Sequence, residues 1–108
     1  MAVVDIKTQQ GFQKSYIGSI DSRIIYYNGV PIPCFFDEVN HSPDGFNWGY
    51  NGSGPSQLSY AILRHFTNDS NLTRKYYIKF RREIISKIPM DREFELPVNT
   101  INEWMVNL

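Results

Sequence analysis

The segment from residue 40 to residue 55, NHSPDGFNWGYNGSGP, concentrates residue types that bind ligands. Its sixteen positions hold four of the seven glycines, three large aromatic residues and several small polar residues. A loop of this length inside a small domain usually has a function. Gly52, Ser53 and Gly54 lead into a segment with helical periodicity, and such a helix start presents backbone N–H groups and a partial positive charge. The segment therefore predicts a site for an anionic ligand.

The aromatic residues of this loop are of the kind that stack on a nucleobase or wall a pocket. We predict ligand contacts at His41, Phe46, Trp48, Tyr50, Gly52, Ser53, Gly54 and Gln57. The leading ligand class is nucleotide-like, although neither G-x-G-x-x-G nor G-x-x-x-x-G-K-[ST] occurs. Two structural alternatives stay open: the loop is a tight turn before a capped helix, and its rings fill the core.

His41 is the histidine with acidic neighbours in the sequence, at Asp37, Glu38 and Asp44. An enzymatic alternative follows, in which a small hydrolase or transferase uses His41 with Asp44 or Asp37. One histidine with carboxylates matches no metal signature, and Asn40-His-Ser-Pro is also typical of a turn. We assign no catalytic residue, no metal and no cofactor, and we favour a protein that is not an enzyme.

A basic stretch follows downstream, with six Lys or Arg residues and one Glu between residues 74 and 87. On a helix, Lys75, Lys79 and Arg82 share one face, and we predict them as possible phosphate contacts. The structural alternative is a solvated helix face opposite an apolar stripe.

The elements that must position these residues follow from local patterns. β-Branched and aromatic runs bracket the turn dipeptide Asn28-Gly29, which predicts a small antiparallel sheet of about three strands over residues 16–33. Apolar residues at helical spacing predict helices near 54–66, 72–88 and 99–107. The sequence thus predicts an α+β fold, with three helices packed on the sheet in one domain over 16–108. Residues 1–15 are expected to be a flexible arm or an edge strand.

Composition limits the partners. Lys plus Arg and Asp plus Glu both number 11, so the whole-chain charge gives no general attraction to nucleic acid or membranes. Cys34 is the single cysteine, which excludes an internal disulfide and favours a reducing compartment. Without an apolar run or a secretory signal, the expectation is a cytoplasmic protein with no membrane partner. A homo-oligomer stays possible.

Residues 40–63 carry the pattern N-H-S-P-x-G-F-x-W-G-Y-x-G-S-G-P-x-Q-L-x-x-A-I-L. This pattern resembles the signature of an uncharacterised family, a domain of unknown function found in bacteria, phages and other mobile elements. The resemblance continues more weakly over most of the chain after residue 15. It implies a shared architecture and a phage or mobile-element setting, but no reaction. We therefore predict a small non-enzymatic accessory protein that binds a nucleotide-like ligand or a partner at the 40–55 loop. The remaining alternative is a factor that acts on a host protein, such as a defence inhibitor.

Overall fold

The computed structural model describes residues 14–108. Four antiparallel strands form one sheet in the order β3-β2-β1-β4: β1 (Ser15–Gly18), β2 (Ile25–Tyr27), β3 (Val30–Pro31) and β4 (Phe94–Pro97). Three α-helices accompany it: α1 (Ser53–Thr67), α2 (Ser70–Glu83) and α3 (Val98–Val106). The predicted α+β class is confirmed, with one strand more than the three expected. The arm or edge strand expected over residues 1–15 lies outside the described residues, except that Ser15 begins β1.

The hairpin between β2 and β3 forms where the turn dipeptide predicts it. Asn28 and Gly29 have φ angles of 56° and 77°, as both central residues of a type I′ turn require. The turn pairs Tyr27 with Val30 and Tyr26 with Pro31. Pro31 lacks a backbone donor, which suits the short β3 at the edge of the sheet.

β4 comes from the far end of the chain and pairs with β1. Its side chains alternate, with Phe94 and Leu96 buried and Glu95 exposed, as expected of a strand with one face on the core. Gly18 lies opposite Phe94, and a Cβ atom at Gly18 would come within 2.2 Å of the Phe94 ring. The absence of a side chain at Gly18 therefore lets the Phe94 ring pack directly against the backbone of β1.

α1 is the central element, because all ten residues from Gly54 to Leu63 are buried. Different parts of the fold contact it on different sides. The Tyr16 hydroxyl of β1 lies 2.7 Å from His65 Nδ1, and the Ser59 hydroxyl donates to the Tyr77 carbonyl of α2. The side chain of Gln57 donates to the Val39 carbonyl. The elements around α1 are thus tied to it by specific polar contacts as well as by apolar packing.

α2 begins at Ser70, close to the predicted residue 72, but ends early at Glu83. The Asp69 carboxylate accepts a hydrogen bond from the N–H of Leu72 and caps the helix. The prediction that this helix continues to residue 88 was wrong. A turn of 3-10 helix spans Ile85–Lys87 instead, where the fully buried Ile85 accepts a hydrogen bond of 3.1 Å from the N–H of Gly49 through its carbonyl. Pro89 has no N–H to donate to the Ile85 carbonyl in a continued α-helix and disfavours a helical residue before it, so the chain leaves the α-helix here and this carbonyl can bond Gly49.

α3 lies within one residue of the predicted range at each end. Its Trp104 ring packs against Phe80 of α2 at a centroid distance of 5.0 Å. None of the helices in residues 14–108 has both the length and the apolar character needed to cross a bilayer.

Candidate functional site

Trp48 and Phe46, the expected stacking walls of the loop, lie in the core. Trp48 is 0% exposed and Phe46 is 8% exposed. The indole N–H of Trp48 points at the carbonyls of Pro89 and Arg92, 3.2 Å from each, and its ring meets Phe94 edge to face. The expectation that these two rings wall an open site at the loop is therefore corrected: Trp48 is closed to a ligand, and Phe46 reaches the surface at a separate cavity that it lines with Arg23 and Cys34.

Gln57, predicted as a ligand contact, is fully buried and uses its whole amide for the protein itself. Its Oε1 accepts from the N–H of His41 at 2.8 Å, and more distantly from that of Ser42. Its Nε2 donates to the carbonyls of Cys34 and Val39. An amide has two donors and an acceptor oxygen, and all are occupied here. Gln57 therefore fastens the 34–42 segment to α1 and leaves no group for a ligand.

Gly49 explains part of the glycine content of the loop. Its φ angle is 91°, and a Cβ atom there would come within 2.6 Å of Met90 Cβ and 2.8 Å of the Ile88 carbonyl. A side chain is excluded both by the left-handed backbone and by the close approach. Gly54 is similar in its packing, because a Cβ atom would come within 2.6 Å of Asn47 Cβ. These glycines let the loop lie directly against its neighbours.

The rest of the loop forms a surface around the beginning of α1, which we call the α1-start patch. Its members are Tyr50, Asn51, Ser53 and, from α2, Arg81, whereas His41 lies farther along α1, beside Gln57 and Tyr77. All members of the patch except Arg81, which is partly buried, are exposed to solvent.

The first turn of α1 has no side-chain cap. Its N-cap, Gly52, provides no side-chain hydrogen bond, and no acidic residue occurs in the first turn. Within residues 14–108, the N–H groups of Gly52, Ser53 and Gly54 donate no hydrogen bond to the protein. Such free donors form the positive end of the helix dipole. The predicted glycine-rich helix start is therefore present, and its exposed residue is Ser53.

Arg81 brings a full positive charge to the same place. Its Nε donates to Asn51 Oδ1 and its Nη1 donates to Ser56 Oγ, each at 3.0 Å. The Ser56 hydroxyl donates in turn to the Gly52 carbonyl at 2.7 Å. Both acceptors that the guanidinium has within residues 14–108 are neutral, so these contacts orient its charge without neutralising it.

Tyr50 is the aromatic residue of the loop that remains accessible, with 40% of its surface exposed. A Cβ atom at Gly52 would come within 2.6 Å of the Tyr50 ring. The missing side chain at residue 52 thus allows the ring to lie beside the helix start. This places one exposed ring next to the free N–H groups.

Arg81 was missed by reasoning from the sequence, which selected Lys75, Lys79 and Arg82. Those three lie on the side of α2 that faces away from α1, and within the described residues none of them hydrogen-bonds to the loop. A signal for Arg81 existed: it falls four residues after Tyr77, at the border of the apolar stripe that packs on the core. A long basic side chain at such a border reaches the neighbouring element.

Comparison with known protein families assigns the chain to one of them. A family model described as a family of unknown function (DUF6166) matches residues 10–107. The chain belongs to this family. Searches among curated proteins and among solved structures gave no match. The family match spans the loop, α1 and α2, so it covers the whole α1-start patch.

His41 has a different partner from those expected of a general base. Its Nε2 lies 2.7 Å from the Tyr77 hydroxyl, and its backbone N–H is held by Gln57. No hydrogen bond in the described part of the chain joins its ring to Asp37, Glu38 or Asp44. Within residues 14–108, no group of three or more His, Cys, Asp or Glu residues is arranged to hold a metal ion. His41 therefore lies beside Gln57, and the partner of its ring is a tyrosine.

Glu38, one of the acidic neighbours of His41 in the sequence, is used elsewhere. It accepts a hydrogen bond from the Tyr60 hydroxyl, and Arg64 Nε lies 3.0 Å from its Oε1. The bond from Tyr60, and then Arg64, lowers the pKa of Glu38 below its usual value. Burial and the Glu38 carboxylate together raise the pKa of Tyr60 to about 12. The ionised carboxylate fastens the 35–39 segment to α1 and is not poised to exchange protons.

Proposed function

We propose that this protein is a small non-enzymatic binding module that takes an anionic, nucleotide-like ligand at the α1-start patch. The observation that carries the proposal is the position of Arg81, whose guanidinium is held by neutral oxygens beside the uncapped start of α1. A fixed cation and free backbone donors at one place are the usual features of a phosphate site.

Electrostatics favours an anion over a neutral ligand at the patch. The start of a helix carries roughly half an elementary charge, and the Arg81 guanidinium adds a full one. Arg81 is already ordered by Asn51 and Ser56, so binding needs little further loss of side-chain freedom. Charge-assisted hydrogen bonds from such a group are stronger than neutral ones.

Tyr50 favours a nucleotide over inorganic phosphate. Its exposed ring lies beside Gly52, where it offers a stacking surface for a base whose phosphates contact the helix start. Stacking of this kind tolerates any base. The exposed residue Ser53 adds a hydroxyl at the rim.

We also propose the biological setting of an accessory protein of a phage or another mobile element. The support for this setting is the resemblance of residues 40–63 to the signature described above. A host-directed role, such as inhibition of a defence system, belongs to the same proposal.

The test is an amide NMR titration of the protein with adenosine diphosphate, pyrophosphate and adenosine. We expect the diphosphate and pyrophosphate to shift the amide signals of Gly52, Ser53 and Gly54 and the Arg81 Nε signal. Only ligands with a base should shift the Tyr50 ring signals. Shifts confined to Lys75, Lys79 and Arg82 would indicate a nonspecific basic face, and an absence of shifts at millimolar ligand would end the proposal.

A further inference from the structure

In the part of the chain that the structure describes, β4 leaves one edge of the sheet open. Among the strands of residues 14–108, β4 pairs with β1 alone and forms the end of the sheet opposite β3. An open edge offers backbone N–H and C=O groups to another extended chain. β4 is the longer of the two edge strands, with four residues against two in β3.

The hydrogen-bond pattern shows which groups of β4 point outward. The N–H of Val98 donates to the Lys14 carbonyl at 2.9 Å, so these two residues form a hydrogen-bonded pair. In an antiparallel ladder such pairs alternate, which makes Tyr16–Leu96 and Gly18–Phe94 the next hydrogen-bonded pairs in the observed register. The N–H and C=O of Glu95 therefore face the open edge. Pro97 has no N–H to offer.

A groove runs beside this edge, between β4 and the end of α2. It has a volume of about 430 Å³. Its apolar lining consists of Ile84, Ile88, Pro89, Phe94 and Leu96, and its charged lining consists of Glu83, Glu93, Glu95 and Lys87. Three carboxylates against one ammonium group give the groove a net negative charge.

We propose that the β4 edge binds an extended peptide segment of a partner protein in which basic and apolar residues alternate. The segment adds a fifth strand through the N–H and C=O of Glu95. Because side chains alternate along a strand, its apolar residues enter the groove over Ile84 and Ile88. Its Lys or Arg residues then meet the carboxylates of Glu93 and Glu95, both of which are exposed.

This inference is independent of the anion site, since none of the groove residues belongs to the α1-start patch. The two surfaces can be tested separately in the same protein. A partner peptide at β4 and a nucleotide at α1 would each bind when the other site is disabled.

The sharpest variant is Glu95→Pro. Proline removes the outward N–H, and it is tolerated at an edge position whose N–H is not used by the sheet. Glu95→Ala is the matched control, because it removes the same carboxylate, together with its contact to the Ser15 hydroxyl at 2.8 Å, but keeps the N–H. The difference in peptide affinity between the two variants measures the contribution of the hydrogen bond from the Glu95 N–H.

The probe is an end-capped heptapeptide of alternating lysine and valine, with a glutamate–valine peptide of the same length as its control. We expect the lysine peptide to bind the wild-type protein and to slow exchange of the Glu95 amide hydrogen. Binding to Glu95→Pro should be about tenfold weaker than to Glu95→Ala, and the glutamate peptide should not bind.

Several outcomes overturn the proposal. One is equal affinity of the peptide for Glu95→Pro and Glu95→Ala, and another is no binding at millimolar peptide. If Glu95→Pro loses its cooperative unfolding transition, unchanged Glu95 amide exchange in the wild-type protein overturns the proposal by itself. The last outcome is a wild-type dimer that becomes a monomer in Glu95→Pro. The β4 edge would then bind a second copy of the chain, and not a partner peptide.

Discussion

The loop from residue 40 to residue 55 has a buried face and an exposed face, and aromatic residues occur on both. On the buried face, Trp48 is enclosed by Phe94 and by the carbonyls of Pro89 and Arg92. On the exposed face, Tyr50 lies two residues away and remains accessible. One ring holds the loop on the fold, and the other stands at the start of α1.

The two faces also differ in how their polar groups are used. Gln57 satisfies all of its hydrogen-bonding groups within the protein. Within residues 14–108, the hydrogen-bond partners of Arg81 are neutral, and its charge stays available. A loop rich in ligand-binding residue types can therefore be mostly structural. Ligand recognition then depends on the few charged groups and rings that are not used in packing.

The largest effect is expected from the buried aromatic ring. Trp48→Ala should lower the free energy of unfolding by about 3–5 kcal/mol, because it leaves a cavity in a packed core. Tyr50→Ala is the matched control and should change the free energy by roughly 0.5 kcal/mol, as for most surface positions. Chemical denaturation of both variants measures the two values. Similar losses in both would remove the distinction between the two faces.

The next effect concerns the buried amide. Gln57→Leu roughly keeps the side-chain volume but removes every hydrogen bond that the Gln57 side chain makes to the 34–42 segment. We expect a loss of about 2–3 kcal/mol, because backbone groups of Cys34, Val39 and His41 lose their partner in a partly buried place. Ser53→Ala, at the exposed first position of α1, should be nearly neutral. A neutral Gln57→Leu would mean that water replaces the amide without cost.

A smaller effect on stability is expected from a change in pH. It arises at His65, near the end of α1 that lies away from the α1-start patch. Burial lowers the pKa of His65 below its ordinary value of 6.5, and its Nδ1 pairs with the Tyr16 hydroxyl. A histidine with a lowered folded-state pKa binds protons more readily when unfolded. Its contribution to stability is therefore present above pH 6.5 and is lost as pH falls toward the folded-state pKa.

Thermal melting of the wild-type protein and of His65→Gln across this pH range checks the prediction. The wild-type midpoint should fall more steeply on acidification than that of the variant. Parallel profiles would show that His65 does not titrate differently on folding.

Local rules account for the parts of the fold that were predicted well. The Asn28-Gly29 turn and the starts of α1 and α2 each depend on a few adjacent residues. These signals have a direct backbone cause, positive φ angles in one case and free N–H groups in the others. Predictions from these signals hold because neighbouring residues are enough to set the backbone conformation.

Non-local contacts account for the parts that were not predicted. Trp48 lies on the buried face of the loop because it contacts β4 and residues 89–92, which are far away in sequence. The turn of 3-10 helix after α2 also contacts the loop, through the bond between the Gly49 N–H and the Ile85 carbonyl. Arg81 was overlooked because its contact with Asn51 depends on how α1 and α2 pack. Neither periodicity nor composition contains that information.

The most direct test of the central claim compares Arg81→Gln with Arg82→Gln, each measured for adenosine diphosphate affinity and for stability on the same sample. The two variants remove the same charge from adjacent positions, but only Arg81 reaches the start of α1. We predict that Arg81→Gln weakens binding about tenfold while lowering the free energy of unfolding by about 1 kcal/mol. Arg82→Gln should change neither appreciably. Equal weakening in both variants, or unchanged affinity in Arg81→Gln, would contradict a recognition site on the exposed face of the loop.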